Sequence, residues 1–239
     1  FAVVNGQKKI AVKNESLVIV CSLLISALFS VNVYAEKTDQ KLIIGYCQAE
    51  SYYEFDYQLY DIMIGMQERG DINANAEGLY EGSEAHEVWE RLAQAESSSY
   101  EFPAEGFIDF SGEAYVGLSD EKIAVKIQEI IETHQIDLML TMGTSAGRMV
   151  MNCSDVEYMN FLASDPVGSE IVLGDEYSGM ERGWAHVNSG VDERALAVME
   201  DLFSPEKIGI VYNFDDPDAY IYSSAQSVDE YAAAQQVIW

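Results

Sequence analysis

Hydrophobic and polar positions along the chain fall into short apolar runs separated by stretches with helical spacing. Lys41-Leu-Ile-Ile-Gly-Tyr-Cys47 is an apolar run of strand type and reads as a buried first strand. From Asp56 to Arg69 the apolar residues Leu59, Ile62, Met63 and Met66 recur at helical intervals, and Gly70 supplies the stop. A second helix is predicted from Glu84 to Ser97, and a second strand at Gly106 to Phe110. Ser119 or Asp120 then caps a helix whose Ile123, Ile127, Ile130 and Ile131 share one face. Ile136 to Met142 is a third strand, and the turn Gly143-Thr144-Ser145 leads into a helix from Ala146 to about Asn152. A fourth strand, Tyr158 to Ala163, ends in Ser164-Asp165-Pro166.

Parallel strands need long crossovers, and those crossovers are helices, so this alternation predicts a doubly wound α/β fold whose parallel sheet is covered on both faces. From Gly183 the pattern restarts, with a strand at Trp184 to Val187, a helix from Asp192 to Phe203, a strand at Lys207-Ile-Gly-Ile-Val-Tyr212 and a last helix from Ala225 to Trp239. The restart reads as a second lobe. The expected organisation is an N-terminal lobe over residues 36–188 and the start of an incomplete second α/β lobe over residues 189–239. With Phe1 in place of a Met and a last helix that has nothing to pack against, the chain is expected to be a fragment open at both ends.

Composition changes the picture in two ways. Lys8, Lys9 and Lys13 precede an apolar run from Leu17 to Phe29 and the small residues Val33 and Ala35, the layout of a secretory signal over residues 1–35. The run is too short to span a bilayer, which takes about 20 residues, so no stable membrane insertion is expected once the signal is cleaved, and the mature protein is placed in the periplasm or outside the cell. Past residue 35 there are 10 basic and 40 acidic residues, a field that repels phosphate backbones and anionic lipids and argues against nucleic-acid binding. The acidic stretch Asp71 to Glu121 reads as a solvated face. Its opening Asp71-Ile-Asn-Ala-Asn75 lacks the glycine and the glutamate that a calcium loop needs, so no metal is expected there. Cys47 and Cys153 are expected at opposite ends of the sheet, without a bridge.

In open parallel sheets, ligands sit beyond the carboxyl ends of the strands, against helix N-termini with free N–H groups. Gln48 to Glu54, Gly143 to Ala146, Ser164 to Gly168 and Asn213 to Ser224 have that address. Thr144 and Ser145 either offer hydroxyls and amides to a ligand carboxylate or simply cap a helix. Asp165 either accepts from a ligand ammonium group or initiates the turn at Pro166. Tyr52, Tyr53 and Phe55 either face an apolar or aromatic ligand group or pack between lobes.

Ile136-Asp-Leu-Met-Leu-Thr-Met-Gly-Thr-Ser-Ala146, Asp165-Pro-Val167 and Pro205-Glu-Lys-Ile-Gly-Ile-Val-Tyr-Asn213, in this order and spacing, resemble the ABC transporter substrate-binding family of the type I periplasmic-binding fold. The resemblance covers roughly Lys41 to Asn213. It implies two hinged α/β lobes that close over a small-molecule solute, delivery to an ABC transporter permease, and amino acids, aromatic ones among them, as ligands. It carries the ligand-binding role to Thr144 and Ser145 for the carboxylate, to Asp165 for the amine and to Asn213 on the second lobe; Gln48, Tyr52 and Gly143 join the expected ligand-binding set by their place in the loops beyond the strands. No cofactor is implied, and a monomer is expected. After Asn213 the family continues with a Pro, a Glu and an Asn-Ser pair, whereas this chain has Phe214-Asp-Asp-Pro-Asp-Ala-Tyr-Ile-Tyr-Ser223. The alternative is a serine hydrolase, because Gly143-Thr144-Ser145-Ala146-Gly147 fits G-x-S-x-G between a strand and a helix. No Gly-rich oxyanion segment lies upstream, and only Asp165 and then His186 come after it in triad order, so the binding reading, with no catalytic residue, is preferred.

Overall fold

The computed structural model describes residues 40–188, 190–215 and 219–235; the signal expected at 1–35 and the middle of the loop after Asn213 lie outside them. Strands β1 (Leu42–Gln48), β2 (Tyr100–Glu101), β3 (Phe107–Asp109), β4 (Leu138–Met142), β5 (Glu157–Phe161) and β6 (Gly183–Ala185) form one parallel sheet. Both β2 and β3 pair with β1, at Leu42↔Tyr100 and Tyr46↔Phe107. They are one edge strand interrupted by Pro103, which has no N–H for a ladder, and a 3-10 turn over Ala104–Gly106. Counted so, the strand order is 2-1-3-4-5, and it reverses between β1 and β4.

The sheet is buried on both sides because successive strand residues point to opposite faces. Ile44 and Tyr46 of β1, Leu138, Leu140 and Met142 of β4, and Met159 and Phe161 of β5 join the core under α1 (Tyr53–Glu68) and α2 (Ala85–Ala93). Cys47, Met139 and Tyr158 point the other way, into the core with Ile123 and Ile127 of α3 (Asp120–His134) and Ala146 and Val150 of α4 (Gly143–Cys153). The predicted isoleucine face of α3 is thus its buried one. Trp89 anchors α2: the ring is buried, tilted against Tyr46, and its Nε1–H donates to Pro103 O at 3.0 Å.

Four sequence expectations are corrected. The second helix stops at Ala93 rather than Ser97, because Glu96 exchanges backbone hydrogen bonds with Asn73 at 2.8 and 3.1 Å and is pulled out of the helical path. The strand at Gly183 does not restart a new sheet: β6 pairs with β5 in register Tyr158↔Gly183. Lys207 to Tyr212 is not a strand but irregular, with Val211 97% exposed; no strand is described after β6 for it to pair with. Beyond β6 the regular elements are the helices α5 (Val191–Phe203), α6 (Ala219–Tyr222) and α7 (Ala225–Gln235). Cys47 and Cys153 are unbridged, but they share one core rather than lying apart, and burial first, then the Cys153 sulfur, raise the Cys47 thiol.

This packing can be tested at two positions. Gly147 faces β5, and a Cβ there would stand 2.5 Å from Asn160 Nδ2 and 2.9 Å from Ile171 Cδ1. Alanine gains about 1 kcal/mol of helix propensity over glycine, but overpacking costs about 1–3 kcal/mol and the Asn160 amide is hydrogen-bonded in place, so Gly147→Ala should be net destabilising by about 1 kcal/mol in urea unfolding. Asp56 is buried, with Oδ1 accepting from the Ala85 N–H at 2.7 Å at the start of α2. Burial pushes its carboxyl up, against the pull of that hydrogen bond. A raised folded pKa means stability present in full below the unfolded pKa and lost as pH rises through the folded one. Asp56→Asn keeps an acceptor and drops the charge, so its stability relative to wild type should rise as pH climbs from the ordinary carboxylate range through the raised folded pKa of Asp56.

Candidate functional site

β1 and β4 run side by side to Gln48 and Met142, which are register partners, at the reversal of strand order, where open α/β sheets form their ligand crevice. α1 begins after a short loop, but α4 begins at Gly143, the residue after β4, with no loop at all. That junction forces φ = +79° at Gly143, which glycine adopts without a Cβ penalty. A Cβ there would also lie 2.8 Å from Cζ of Phe55 in α1. From the opposite side, Asn160 of β5 donates through Nδ2 to Gly143 O at 2.9 Å and to Thr141 Oγ1 at 3.0 Å.

The first turn of a helix carries N–H groups without intrahelical partners and the positive end of the dipole. α1, α2, α3 and α5 each place an acidic residue in that turn; α4 has none. Thr144, 4% exposed, has its Oγ1 buried there with no hydrogen-bond partner. The Tyr52 ring, at the N-cap of α1, lies 5.2 Å from the Phe55 ring and 4.8 Å from that of Tyr53. The Tyr53 hydroxyl donates to Glu54 Oε1 at 3.1 Å, and side-chain hydrogen bonds with Tyr52 and Glu54 push its pKa up to about 12.

Gln48, Tyr52, Gly143 and Thr144 therefore stand at one end of the sheet, where Tyr52 is exposed and the other three are buried. The Gln48 side chain is committed: it is buried, accepts from the Tyr46 hydroxyl at 2.7 Å and donates to Asp109 Oδ2 at 2.9 Å, so it braces β1 against β3. Ser145 lines a different groove of about 640 Å³ with Phe110, Arg148, Asn152 and Asp215. Asp165 behaves as a turn residue, with Oδ1 accepting from the N–H groups of Val167 at 3.2 Å and Gly168 at 2.8 Å. It also borders a cleft of about 440 Å³ against the start of α5, with Asp175, Asp192 and Glu193 around it. Asn213 is exposed and closes its own turn by accepting from the Asp215 N–H at 3.0 Å.

Ser145 is the third residue of α4, and the left-handed residue of the junction is Gly143, so the sharp turn of a nucleophile elbow is not centred on the serine. The groove it lines holds no histidine among the described residues, and His186 is exposed, its N–H donating to Asn160 O at 3.0 Å. No group of three or more His, Cys, Asp or Glu is arranged to hold a metal among the described residues. Sequence reasoning missed Asn160, Gly147 and Asp109. A signal for the first was present: Tyr158-Met-Asn-Phe161 is a buried strand with one amide in it, and a buried amide must find partners.

No family model matches the chain, and no curated protein does. Solved structures do. A conserved domain protein from Vibrio cholerae O1 biovar El Tor aligns at 17% identity and a TM-score of 0.53, over 83% of this chain and 55% of that one. The ABC domain in complex with L-Trp from Streptococcus pneumonia aligns at 16% identity and a TM-score of 0.50, over 82% and 54%. The ligand-free, open structure of a substrate binding protein with adhesive properties from Clostridium difficile aligns at 17% identity and a TM-score of 0.45, over 80% and 54%. The chain spans about half the length of the structures it matches. The likeness to the first two shows the fold, a parallel α/β sheet wound on both faces.

Proposed function

We propose that the chain is part of an extracytoplasmic solute-binding protein, exported by the signal at residues 1–35, that hands a small molecule to an ABC transporter permease and performs no chemistry on it. The observation that carries this reading is the first turn of α4, a helix start at the strand-order reversal with no acidic side chain and with the buried, unpartnered Thr144 hydroxyl. A buried hydroxyl without a partner costs about 1–3 kcal/mol, and a ligand carboxylate at the crevice would supply the missing acceptor and use the free amides beside it. Tyr52, exposed and edge-on to the buried Phe55 ring, suits an aromatic ligand group. An amino acid such as L-Trp, the ligand of the pneumococcal protein, combines both features. In this reading residues 36–188 are the lobe that the ligand meets first, with Asp165 for the amine, and residues 189–239 begin the lobe that swings over it, bringing Asn213 to the far side.

The test is a thermal-shift screen of the purified protein against L-tryptophan, other amino acids and small carboxylic acids. A true ligand at 100 times its Kd should stabilise by about 2.7 kcal/mol. Absence of any shift, or labelling of Ser145 by a fluorophosphonate probe with ester turnover lost in Ser145→Ala, would overturn the reading in favour of another. Thr144→Val separates a binding hydroxyl from a structural one. Without ligand the variant should be at least as stable as wild type, because the orphaned polar group is gone, while affinity for the hit compound should fall by about tenfold.

A further inference from the structure

Asn160 lies on β5, outside the crevice, and is fully buried. It stands beside Thr141 in the β4–β5 register and donates from Nδ2 to the Gly143 carbonyl at 2.9 Å. The same Nδ2 reaches Thr141 Oγ1 at 3.0 Å and Thr141 O at 3.4 Å. Three acceptors around one nitrogen fix which way the amide points, since the flipped orientation would set Oδ1 against two carbonyls. Gly147 leaves room for this: α4 rests directly on the amide, where any Cβ would stand 2.5 Å from Nδ2.

Holding this carbonyl also constrains the neighbouring N–H. Gly143 C=O and Thr144 N–H belong to one planar trans peptide unit and point in opposite directions, so a group that holds the carbonyl also sets the direction of the N–H. At most junctions a loop would share that task. Here β4 runs into α4 with none, and the left-handed Gly143 has no side chain of its own to restrain the plane. We infer that Asn160 is a positioning residue: by holding the Gly143 carbonyl from beneath, it aims the Thr144 N–H and the first turn of α4 into the crevice and so sets the affinity for a ligand carboxylate. The inference rests on the binding role proposed for that crevice. Asn160 itself touches no ligand and acts through Gly143.

The experiment uses the full chain, labelled with 15N, in wild type, Asn160→Leu and Thr141→Val. Thr141→Val removes one acceptor of the same amide without touching the Gly143 carbonyl, and so controls for loss of stability. Residual dipolar couplings report the direction of each N–H bond. Those of Thr144 and Ser145 should change in Asn160→Leu and stay at wild-type values in Thr141→Val, while couplings near Cys153 stay constant in both. In parallel, binding of L-tryptophan should weaken by about tenfold in Asn160→Leu, while that of tryptamine, which lacks the carboxylate, should change by less than about twofold. If Asn160→Leu does not fold, Asn160→Ser, which leaves a shorter donor, is measured in the same way. Unchanged Thr144 coupling in a folded Asn160 variant, or equal losses for both compounds, overturns the inference. Should wild type bind neither compound, the ligand class proposed above fails, and the couplings alone decide the role of Asn160.

Discussion

The structure turns on the way β4 passes into α4. A strand buried on both faces ends at Met142, and a helix begins at the next residue, so the chain changes direction within a single left-handed glycine. Such a turn leaves no slack. Phe55 presses on it from α1, Asn160 holds it from β5, and Gly147 lets the helix settle on the amide below. Each of these contacts comes from a different element, so the helix start is placed by the whole sheet and not by a local loop. The unpartnered Thr144 hydroxyl inherits that placement, since it belongs to the first turn of the same helix.

Much of this arrangement is legible in the chain itself. The apolar runs at Leu42–Gln48 and Leu138–Met142 and the isoleucine spacing of α3 are strong local signals, because both sheet faces and one helix face must be buried. The glycine at position 143 marks the junction, although the spacing predicts a helix that starts three residues later. Illegible are the facts that depend on a distant partner. Glu96 leaves its helix for Asn73, and Lys207 to Tyr212, apolar enough for a strand, has none beside it among the described residues. Periodicity describes what a segment can do alone, and a ladder requires a second segment.

The site is legible in part for the same reason. Position beyond the carboxyl ends of strands brings Gln48, Tyr52, Gly143 and Thr144 to one end of β1 and β4. It does not distinguish a side chain free to meet a solute from one already occupied. Gln48 has both ends of its amide engaged, by Tyr46 and Asp109, and Asp165 and Asn213 close their own turns. Ser145 is next to Thr144 in the chain, yet lines another groove, because adjacent helical residues point about 100° apart. The buried asparagine of β5 carries a signal of its own, a polar residue in an apolar strand, which needs only the question of what it bonds to.

The interruption of the outer strand at Pro103 reaches beyond the crevice. Because β2 and β3 are short pieces on one side, and β6 spans only Gly183–Ala185 on the other, the sheet ends on both flanks, among the described residues, in strands of three residues or fewer. Long flat borders recruit further chains through their unpaired backbone groups and seed aggregates; broken ones offer too few consecutive donors and acceptors to template such growth. A proline and a 3-10 turn thereby leave this border too broken to template such growth, while the Pro103 carbonyl also takes the Trp89 N–H.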